Sequence, residues 1–215
     1  MKSYNDALKI LNKSKIKIAN ELIRSVDSLN RICSENIRSN HYYPSADNSS
    51  LDGFAVNSKD TNHVSKKKSK RFKIIGSISA GSKPFKKFLK KDQAVEIMTG
   101  GILPKGTNTV IPIEKCLLSK EKTNNYISIK QKFKKFENVR FKGSDYKKKD
   151  LLIKKNTLIN SNHIMAFKAL GVGNIKVKKK INIIFFSSGN EISEVNHIPS
   201  WKIRNSNHHY IKSLK

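Results

Sequence analysis

The chain has 215 residues and a formal net charge of +28 at pH 7, because 44 residues are Lys or Arg and only 16 are Asp or Glu. A chain of this length can bury a core, and no apolar run in it approaches the length of a membrane span. The lysines occur along the whole chain rather than in one tail, which favours solvated loops and faces over a dedicated nucleic-acid site.

The cysteines and the N-terminal residues indicate the cellular compartment of the protein. Cys33 and Cys116 are far apart in the sequence, and neither belongs to a metal-binding spacing. The chain opens without the apolar segment of a secretory signal. We therefore expect a reduced protein of the cytoplasm, with no membrane partner.

Two helices are predicted near the N terminus. Ser3 and Asp6 have the spacing of a capping box, which predicts a short helix that begins just after Ser3. A second helix is predicted by apolar residues at helical spacing, Val26, Leu29, Cys33 and Ile37.

The first polar segment of interest is residues 44–56, PSADNSSLDGFAV. Its Asp, Asn and Ser side chains readily bond their own backbone, which favours a fixed loop, and the alternation after Leu51 predicts a strand. Asp52 at the mouth of such a loop could bind a metal ion or a polar substrate. On spacing alone, the alternative is that Asp47 caps a turn and Asp52 is merely solvated.

The second segment is residues 97–114, IMTGGILPKGTNTVIPIE. A short apolar strand ends in Thr99 and Gly100, whose hydroxyl and backbone N–H groups are suited to a ligand oxyanion. A structural turn is the alternative explanation of the same residues. Another strand is predicted at residues 109–113.

The segments between and after these two are simpler. Residues 57–70 are polar and rich in lysine, so we expect a surface loop. A strand is predicted at residues 72–78 and a hairpin at residues 117–129. A helix is predicted at residues 161–170, ended by Gly171.

A third polar cluster lies in residues 138–145, NVRFKGSD. Arg140 offers a planar fork suited to an oxyanion, and Asp145 follows a glycine turn. A surface turn that holds an ion pair is the alternative.

The last part of the chain has a different sequence pattern from the part before it, and a domain boundary is expected near Lys179. Residues 181–186, INIIFF, form a continuous apolar run, as expected of a buried parallel strand. The hydroxyl- and glycine-rich loop that follows contains Glu191 and would lie beyond the carboxyl end of that strand, where open α/β sheets bind ligands. Asn205 could cap a helix that begins at about residue 208.

In order, these segments resemble the molybdopterin molybdenumtransferase family (MoeA), which includes the E domain of gephyrin. The resemblance extends from about Ser3 to Asn207 and is carried by motifs in the family's order: PSADNSSLDGFAV, GSISAGS, IMTGGILPKGTNTVIPIE, NVRFKGSD, ALGVGNIKV, FFSSGNEI and IRNSN.

The resemblance implies an α+β multidomain fold, in which an elongated helical and β-rich N-terminal region precedes an α/β molybdopterin-binding domain. The N-terminal region would span residues 1–179, with helical parts at about 1–40 and 150–179 and a β-rich insertion at about 41–149. Residues 180–215 would begin the α/β domain. That domain is expected to be truncated, since the family's downstream glycine-rich loop and later Asp and Lys residues have no counterpart.

The resemblance also implies a reaction and a site. Members of the family insert molybdate into adenylylated molybdopterin and release AMP and molybdenum cofactor, with a divalent ion such as Mg²⁺. The implied catalytic residues are Asp52, Thr99, Asp145 and Glu191. The implied substrate-binding residues are Ser49, Gly100, Arg140, Ser187, Ser188, Gly189, Ser206 and Asn207. Arg140 and Ser187 would line the molybdate site, and Asp52 and Glu191 are the candidate metal ligands.

The expected partners are the small-molecule substrates, a second copy of the chain that shares the site, and the molybdopterin adenylyltransferase as a further candidate. Lys149 stands where the family usually has a turn glycine. The missing downstream segments predict a chain that does not turn over alone. A non-catalytic dimerisation or assembly module derived from this family is the alternative, and a nucleic-acid binder is supported by charge only.

Overall fold

The computed structural model describes residues 3–14 and 16–214. Within them the helices are α1 (Tyr4–Lys13), α2 (Ser161–Ala169) and α3 (Ser206–Ser213). The strands in chain order are β1 (Asn20–Arg24), β2 (Ile37–Arg38), β3 (Asn48–Ser49), β4 (Gly53–Val56), β5 (Lys70–Ile78), β6 (Gln93–Ile97), β7 (Thr109–Pro112), β8 (Leu117–Glu121), β9 (Asn124–Ile129), β10 (Val139–Arg140), β11 (Leu151–Ile153), β12 (Asn174–Lys178), β13 (Ile192–Ser193) and β14 (Ile203–Arg204).

These elements form two compact units. The larger unit is Leu22–Val177, and the smaller unit combines Met1–Glu21 with Lys178–Lys215. Helices and sheets occur together, which confirms the predicted α+β class. No helix in the described ranges is both long and apolar enough to span a membrane.

A six-stranded mixed sheet with the order β7-β4-β6-β5-β9-β8 forms the centre of the larger unit. Strand β4 is buried at every position because strands flank it and apolar side chains cover both faces. Phe54 and Val56 belong to one hydrophobic cluster, and Ala55 between them belongs to another. This alternation follows from the period of two residues in a strand.

Gly53 fixes how closely β4 approaches its neighbour β7. A Cβ atom at Gly53 would lie only 2.0 Å from the backbone oxygen of Ile111 in β7. Any side chain would therefore force the two strands apart. The position of Asp52, one residue earlier, depends on this close contact.

The rest of the larger unit has its own core around α2. Its buried members come from several short strands and the helix: Cys33, Ile37, Ile153, Ile159, Phe167, Ile175 and Val177. Asn160 and His163 form a reciprocal capping box at the start of α2, and Gly171 with φ +70° follows its end. The helix predicted at residues 161–170 is thus confirmed.

Other local predictions hold as well. Ser3 accepts a hydrogen bond from the Asp6 N–H and caps α1. The strands predicted at residues 72–78 and 109–113 correspond to β5 and β7, and the predicted hairpin corresponds to β8 and β9. Asn205 caps α3, which begins at Ser206.

The helix predicted from Val26, Leu29, Cys33 and Ile37 is wrong. Only Ser25–Asp27 forms a short 3₁₀ turn. Asn30 then adopts φ +61°, and the Cys33 N–H bonds to the Thr157 carbonyl at 3.0 Å. The backbone bonds distant segments instead of its own, and tertiary pairing overrides the helical spacing.

The buried strand predicted at residues 181–186 is also wrong. These residues have no regular secondary structure, and Ile183 and Phe186 are 80% and 82% exposed. A parallel strand is stable when neighbours cover it. In the described part of the smaller unit, the parallel pair is β13 with β14, and residues 181–186 do not join it.

Lys149 has φ +76°, in the left-handed region that favours glycine. We expect Lys149→Gly to raise the free energy of unfolding by about 0.5–1 kcal/mol. Glycine relieves the strain of the left-handed backbone, and this gain is larger than the extra backbone entropy that glycine loses on folding. Urea unfolding followed by circular dichroism would measure the change. Lys148→Gly, at a neighbouring position with ordinary φ, is expected to lower stability; equal losses in both variants would contradict this explanation.

Candidate functional site

Asp52 and Thr99 meet because of the register of the central sheet. Gly53 at the start of β4 pairs with Ile97 at the end of the antiparallel β6. Residues just before β4 therefore lie beside those just after β6. The Thr99 hydroxyl and backbone N–H both donate to Asp52 Oδ1, each at 2.7 Å. The hydroxyl bond, and then the backbone bond, stabilise the ionised form and lower the pKa of Asp52.

The backbone of Ser49 holds the loop in front of β4 against two other polar segments. The Ser49 N–H donates to the Gly101 carbonyl at 2.9 Å, and the Gly100 N–H donates to the Ser49 carbonyl at 2.9 Å. The Ser50 N–H donates to the Asn138 carbonyl at 3.1 Å, and β3 pairs with β10. The structure thus brings together segments that are far apart in the sequence.

Arg140 and Asp145 belong to the third of these segments. Arg140 pairs with Asn48 across β3 and β10, and its guanidinium forms an ion pair with Asp145 at 2.5 Å. The Arg140 bond, followed by a bond from the Ser144 hydroxyl, lowers the pKa of Asp145. Both side chains are about two-fifths exposed, at 42% and 38%. Among the described residues, Arg140 donates side-chain hydrogen bonds to Asp145 alone, so its other N–H groups are open to an oxyanion.

Two predicted substrate-binding residues have positions that support the loop. The Ser49 side chain is buried, and its hydroxyl donates to the Leu51 carbonyl at 2.5 Å. Gly100 has φ +79°, and its N–H is used by the Ser49 carbonyl. The first contribution of both residues is therefore to the conformation of the loop, and their contact with substrate stays a prediction.

Asp47 caps a turn, which is the alternative that its spacing in the sequence left open. Its Oδ1 accepts the Lys142 N–H at 2.7 Å, and its carbonyl accepts the Leu103 N–H at 3.0 Å. A cleft of about 360 Å³ beside Asp47 is lined in part by Leu103 and Lys142. Asp52 and Arg140 do not line that cleft.

Sequence reasoning missed Tyr43 and Asn48. The guanidinium carbon of Arg140 lies 5.7 Å from the centre of the Tyr43 ring. The Asn48 side-chain oxygen is buried, and no hydrogen-bond partner for it occurs in the described residues. No local sequence pattern could reveal either residue, because the Tyr43 contact and the burial of Asn48 both depend on segments that are distant in the sequence.

In the smaller unit, predicted residues line one pocket of about 250 Å³. They are Ser187, Ser188, Ser206 and Asn207. The Ser187 hydroxyl donates at 2.8 Å to Asn205, which caps α3. Hydroxyl groups beside the first turn of a helix are a suitable environment for an anion, because the N–H groups of that turn have no partner within the helix.

Glu191 lies close to Gly189 in the same unit. A Cβ atom at Gly189 would be 2.5 Å from Glu191 Oε1, so only glycine allows this position of the carboxylate. The Glu191 backbone carbonyl accepts the Ile203 N–H at 2.8 Å and connects the loop to β14. No side-chain hydrogen bond of Glu191 occurs between residues 16 and 214.

A network that the sequence did not indicate joins Glu194, Asn205 and His209. The Asn205 amide donates to Glu194 Oε1, and His209 Nε2 lies 3.4 Å from Glu194 Oε2. The Asn205 bond is the largest cause of the lowered pKa of Glu194. Asn205 also caps α3, so this network fixes the start of the helix.

The residues present are suited to Mg²⁺ rather than to a metal held by protein ligands alone. Across the described residues, no three His, Cys, Asp or Glu side chains cluster in a way that could hold a metal ion. Mg²⁺ commonly uses one or two carboxylates together with water and substrate phosphates. Asp52 fits that requirement, since Thr99 occupies Oδ1 and leaves Oδ2 of an exposed, ionised carboxylate available.

Neither cysteine is suited to nucleophilic chemistry. Burial is the main cause that raises the pKa of the Cys116 thiol to about 12, and burial also raises the pKa of Cys33. Both cysteines are free thiols. At neutral pH both are protonated, and a protonated thiol is a poor nucleophile.

Comparison with known proteins gives a consistent result. Residues 2–171 match the family model "MoeA N-terminal region (domain I and II)". A molybdopterin molybdenumtransferase of Staphylococcus epidermidis is 32% identical over 213 residues, which are 99% of this chain and 50% of that protein. The Bacillus subtilis molybdopterin molybdenumtransferase is 33% identical over 87% of this chain and 44% of its own length.

Two solved structures are also similar to this chain. Two structures of a molybdopterin biosynthesis MoeA protein from Pyrococcus horikoshii have TM-scores of 0.81 and 0.84 and sequence identities of 32% and 25%. They cover 96% and 98% of this chain, which in turn covers 52% and 55% of theirs. The chain therefore spans about half the length of the relatives that it matches.

The hydrogen bond between Thr99 and Asp52 can be tested by titration. We expect Thr99→Val to raise the pKa of Asp52 toward its ordinary value but not fully, because the backbone N–H bond remains while the hydroxyl bond is lost. Carboxyl carbon NMR as a function of pH would measure this pKa. Thr99→Ser keeps the hydroxyl and should leave the pKa low; an unchanged pKa in the valine variant would refute the assignment.

Proposed function

The chain belongs to the MoeA N-terminal region family, and we propose that it acts in molybdenum cofactor biosynthesis as part of a molybdopterin molybdenumtransferase. In the proposed reaction, molybdate is inserted into adenylylated molybdopterin, and AMP and molybdenum cofactor are released. The names of the similar proteins from Staphylococcus epidermidis and Bacillus subtilis support this proposal.

The observation that carries the proposal is the convergence of separate polar segments on the loop before β4. The Thr99 and Arg140 segments are both bonded to the backbone around Ser49. The segments that carry an ionised Asp52 and a partly exposed Arg140 are thus joined to one loop. Molybdate is a dianion, and the planar fork of a guanidinium suits such an oxyanion.

The lowered pKa of Asp52 favours metal binding over proton transfer. A general base is most effective when its pKa is near the working pH, and hydrogen bonds from Thr99 move Asp52 away from that range. A permanently ionised carboxylate is instead a good ligand for Mg²⁺. When bound, Mg²⁺ would neutralise charge on the phosphate groups of the substrate. Thr99 would keep the Asp52 carboxylate in one orientation.

The smaller unit contains its own set of candidate groups. Ser187 and Ser188, with the first turn of α3, would bind a phosphate or molybdate oxyanion. Glu191 would be the second candidate metal ligand. A homodimer that shares the site between subunits, in the cytoplasm, completes the proposal, and the molybdopterin adenylyltransferase would supply the adenylylated substrate.

A second candidate function is a non-catalytic dimerisation or assembly module. One observation favours it: polar groups of the loop region largely satisfy each other. Arg140 is paired with Asp145, and the Gly100 N–H is bonded to Ser49. Those contacts would persist in a module that had lost its substrate.

Release of AMP distinguishes the two functions. With adenylylated molybdopterin, molybdate and Mg²⁺, a chain that acts as a transferase on its own releases AMP in a molybdate-dependent way, and Asp52→Asn lowers that release at least about 100-fold because the carboxylate that binds Mg²⁺ is removed. The matched control is Asp27→Asn, which removes an exposed carboxylate paired with Arg24 on the surface.

Quantified AMP release by chromatography would be compared for all three proteins after their thermal unfolding has been shown to match. Equal activity of Asp52→Asn and Asp27→Asn would overturn the role of Asp52. Absence of AMP release from folded wild-type chain would favour the assembly module.

A further inference from the structure

A second cleft in the larger unit, unconnected with the groups above, has strongly basic walls. It has a volume of about 410 Å³ and is lined by Lys59, Asp60, His63, Lys68, Lys70 and Lys91, among others. These residues come from the 3₁₀ helix Ser58–Thr61 and the turn after it, the start of β5, and the turn before β6. We propose that this cleft binds the phosphate chain of an oligophosphate, either free or carried by a nucleotide.

The charges in the cleft are not balanced. Lys70 Nζ lies 2.6 Å from Asp92 Oδ1, and Asp60 Oδ2 accepts the Asp92 N–H at 3.2 Å. The two nearby carboxylates are thus already engaged. Lys59, Lys68 and Lys91 have no carboxylate at ion-pair distance in the part of the chain that the structure describes. Like charges that converge in a cleft repel one another, and a multivalent anion relieves that repulsion.

The walls are anchored to the core, so the backbone segments that carry the lysines are held in place before a ligand arrives. Thr61 is fully buried, donates to the Phe133 carbonyl at 3.2 Å, and accepts the Phe133 N–H at 3.1 Å. Val64 packs against the hydrophobic cluster that contains Phe72. Anchored groups lose less conformational entropy on binding than side chains of a mobile loop.

The Ser65–Lys68 turn and Asp92 fix the backbone of the other two walls of the cleft. Ser65 and Lys68 exchange backbone hydrogen bonds at 3.0 and 3.1 Å, which closes a tight turn and fixes the backbone of Lys68. Asp92 adopts φ +63° and connects Asp60 to Lys70. Asp92 thus joins two of the segments that form the cleft, and the fold sets the spacing of the backbone segments that carry the lysines.

The lining determines the class of ligand. Among the described residues that line the cleft, the imidazole of His63 is the one aromatic ring, so a nucleobase would gain at most one stacking contact while the lysines would contact the phosphates. Ammonium groups from separate segments instead suit an extended chain of phosphates, in which each segment contacts a different phosphate. A single phosphate ion carries less charge and fewer acceptor oxygens, so it should bind more weakly.

The test must distinguish binding in this cleft from the nonspecific attraction of anions to a chain with net charge +28. The cleft variant is Lys68→Gln with Lys91→Gln. The matched control is Lys154→Gln with Lys155→Gln, which removes the same charge from exposed positions that do not line the cleft. A third variant, Lys68→Arg with Lys91→Arg, keeps the charge and should retain binding.

Isothermal titration calorimetry would use inorganic tripolyphosphate, ATP, AMP and inorganic phosphate at fixed salt, with EDTA present so that no metal ion bridges the ligand to Asp52. We expect tripolyphosphate and ATP to bind with similar Kd, and AMP and phosphate at least about tenfold more weakly. The cleft variant should weaken tripolyphosphate binding at least about tenfold, and the control variant less than about threefold.

The inference fails if the cleft and control variants weaken binding equally, since binding would then reflect net charge alone. It also fails if ATP binds much more tightly than tripolyphosphate, because a nucleoside would then be recognised. Amide chemical shifts give a second measurement that does not depend on a variant that folds: tripolyphosphate should shift His63, Ser69 and Lys91, and shifts confined to other residues would overturn the assignment.

Discussion

The backbone of Ser49 is the point on which the candidate site depends. Its N–H and carbonyl are both bonded to the Gly100–Gly101 turn, and the next residue is bonded to Asn138. These bonds give the loop before β4 a single position relative to two other loops. Without them, the segment that carries Arg140 would not be joined to the loop of Asp52, which the register of β4 and β6 already places beside Thr99. The polar chemistry of the larger unit is therefore a consequence of main-chain pairing.

The carboxylates near this point have different functions because their partners differ. Asp47 bonds the backbone of Lys142 and supports the loop. Asp145 neutralises Arg140. Asp52 receives both of its bonds from Thr99 through one oxygen, which leaves the other available. Asp52 thus combines an ionised state with a free oxygen in an exposed position, as a ligand for a hard cation requires.

Local patterns in the sequence predicted the elements that local interactions determine. The Ser3 cap, Gly171 and the alternation after Leu51 all act within a few residues, and the structure confirms the corresponding elements. The helix predicted around Cys33 failed because the Cys33 backbone bonds to Thr157, which no local pattern reveals.

The candidate site could likewise be predicted only in part from the sequence. Thr99 and Arg140 could be named from residue type and family resemblance, but their connection through Ser49 depends on pairing between distant segments. The basic cleft was predicted only as part of a polar surface loop. The burial of Thr61 and the ion pair of Lys70 with Asp92 give that segment a fixed shape.

The most direct test of the account is whether the joined segments bind an oxyanion as one site. Molybdate would be titrated into labelled chain, with amide chemical shifts recorded and chloride of equal ionic strength as the control. The account predicts that the amides of Thr99 and those around Arg140 shift together, with one shared Kd. Shifts with different Kd values, or shifts only at exposed lysines, would contradict it.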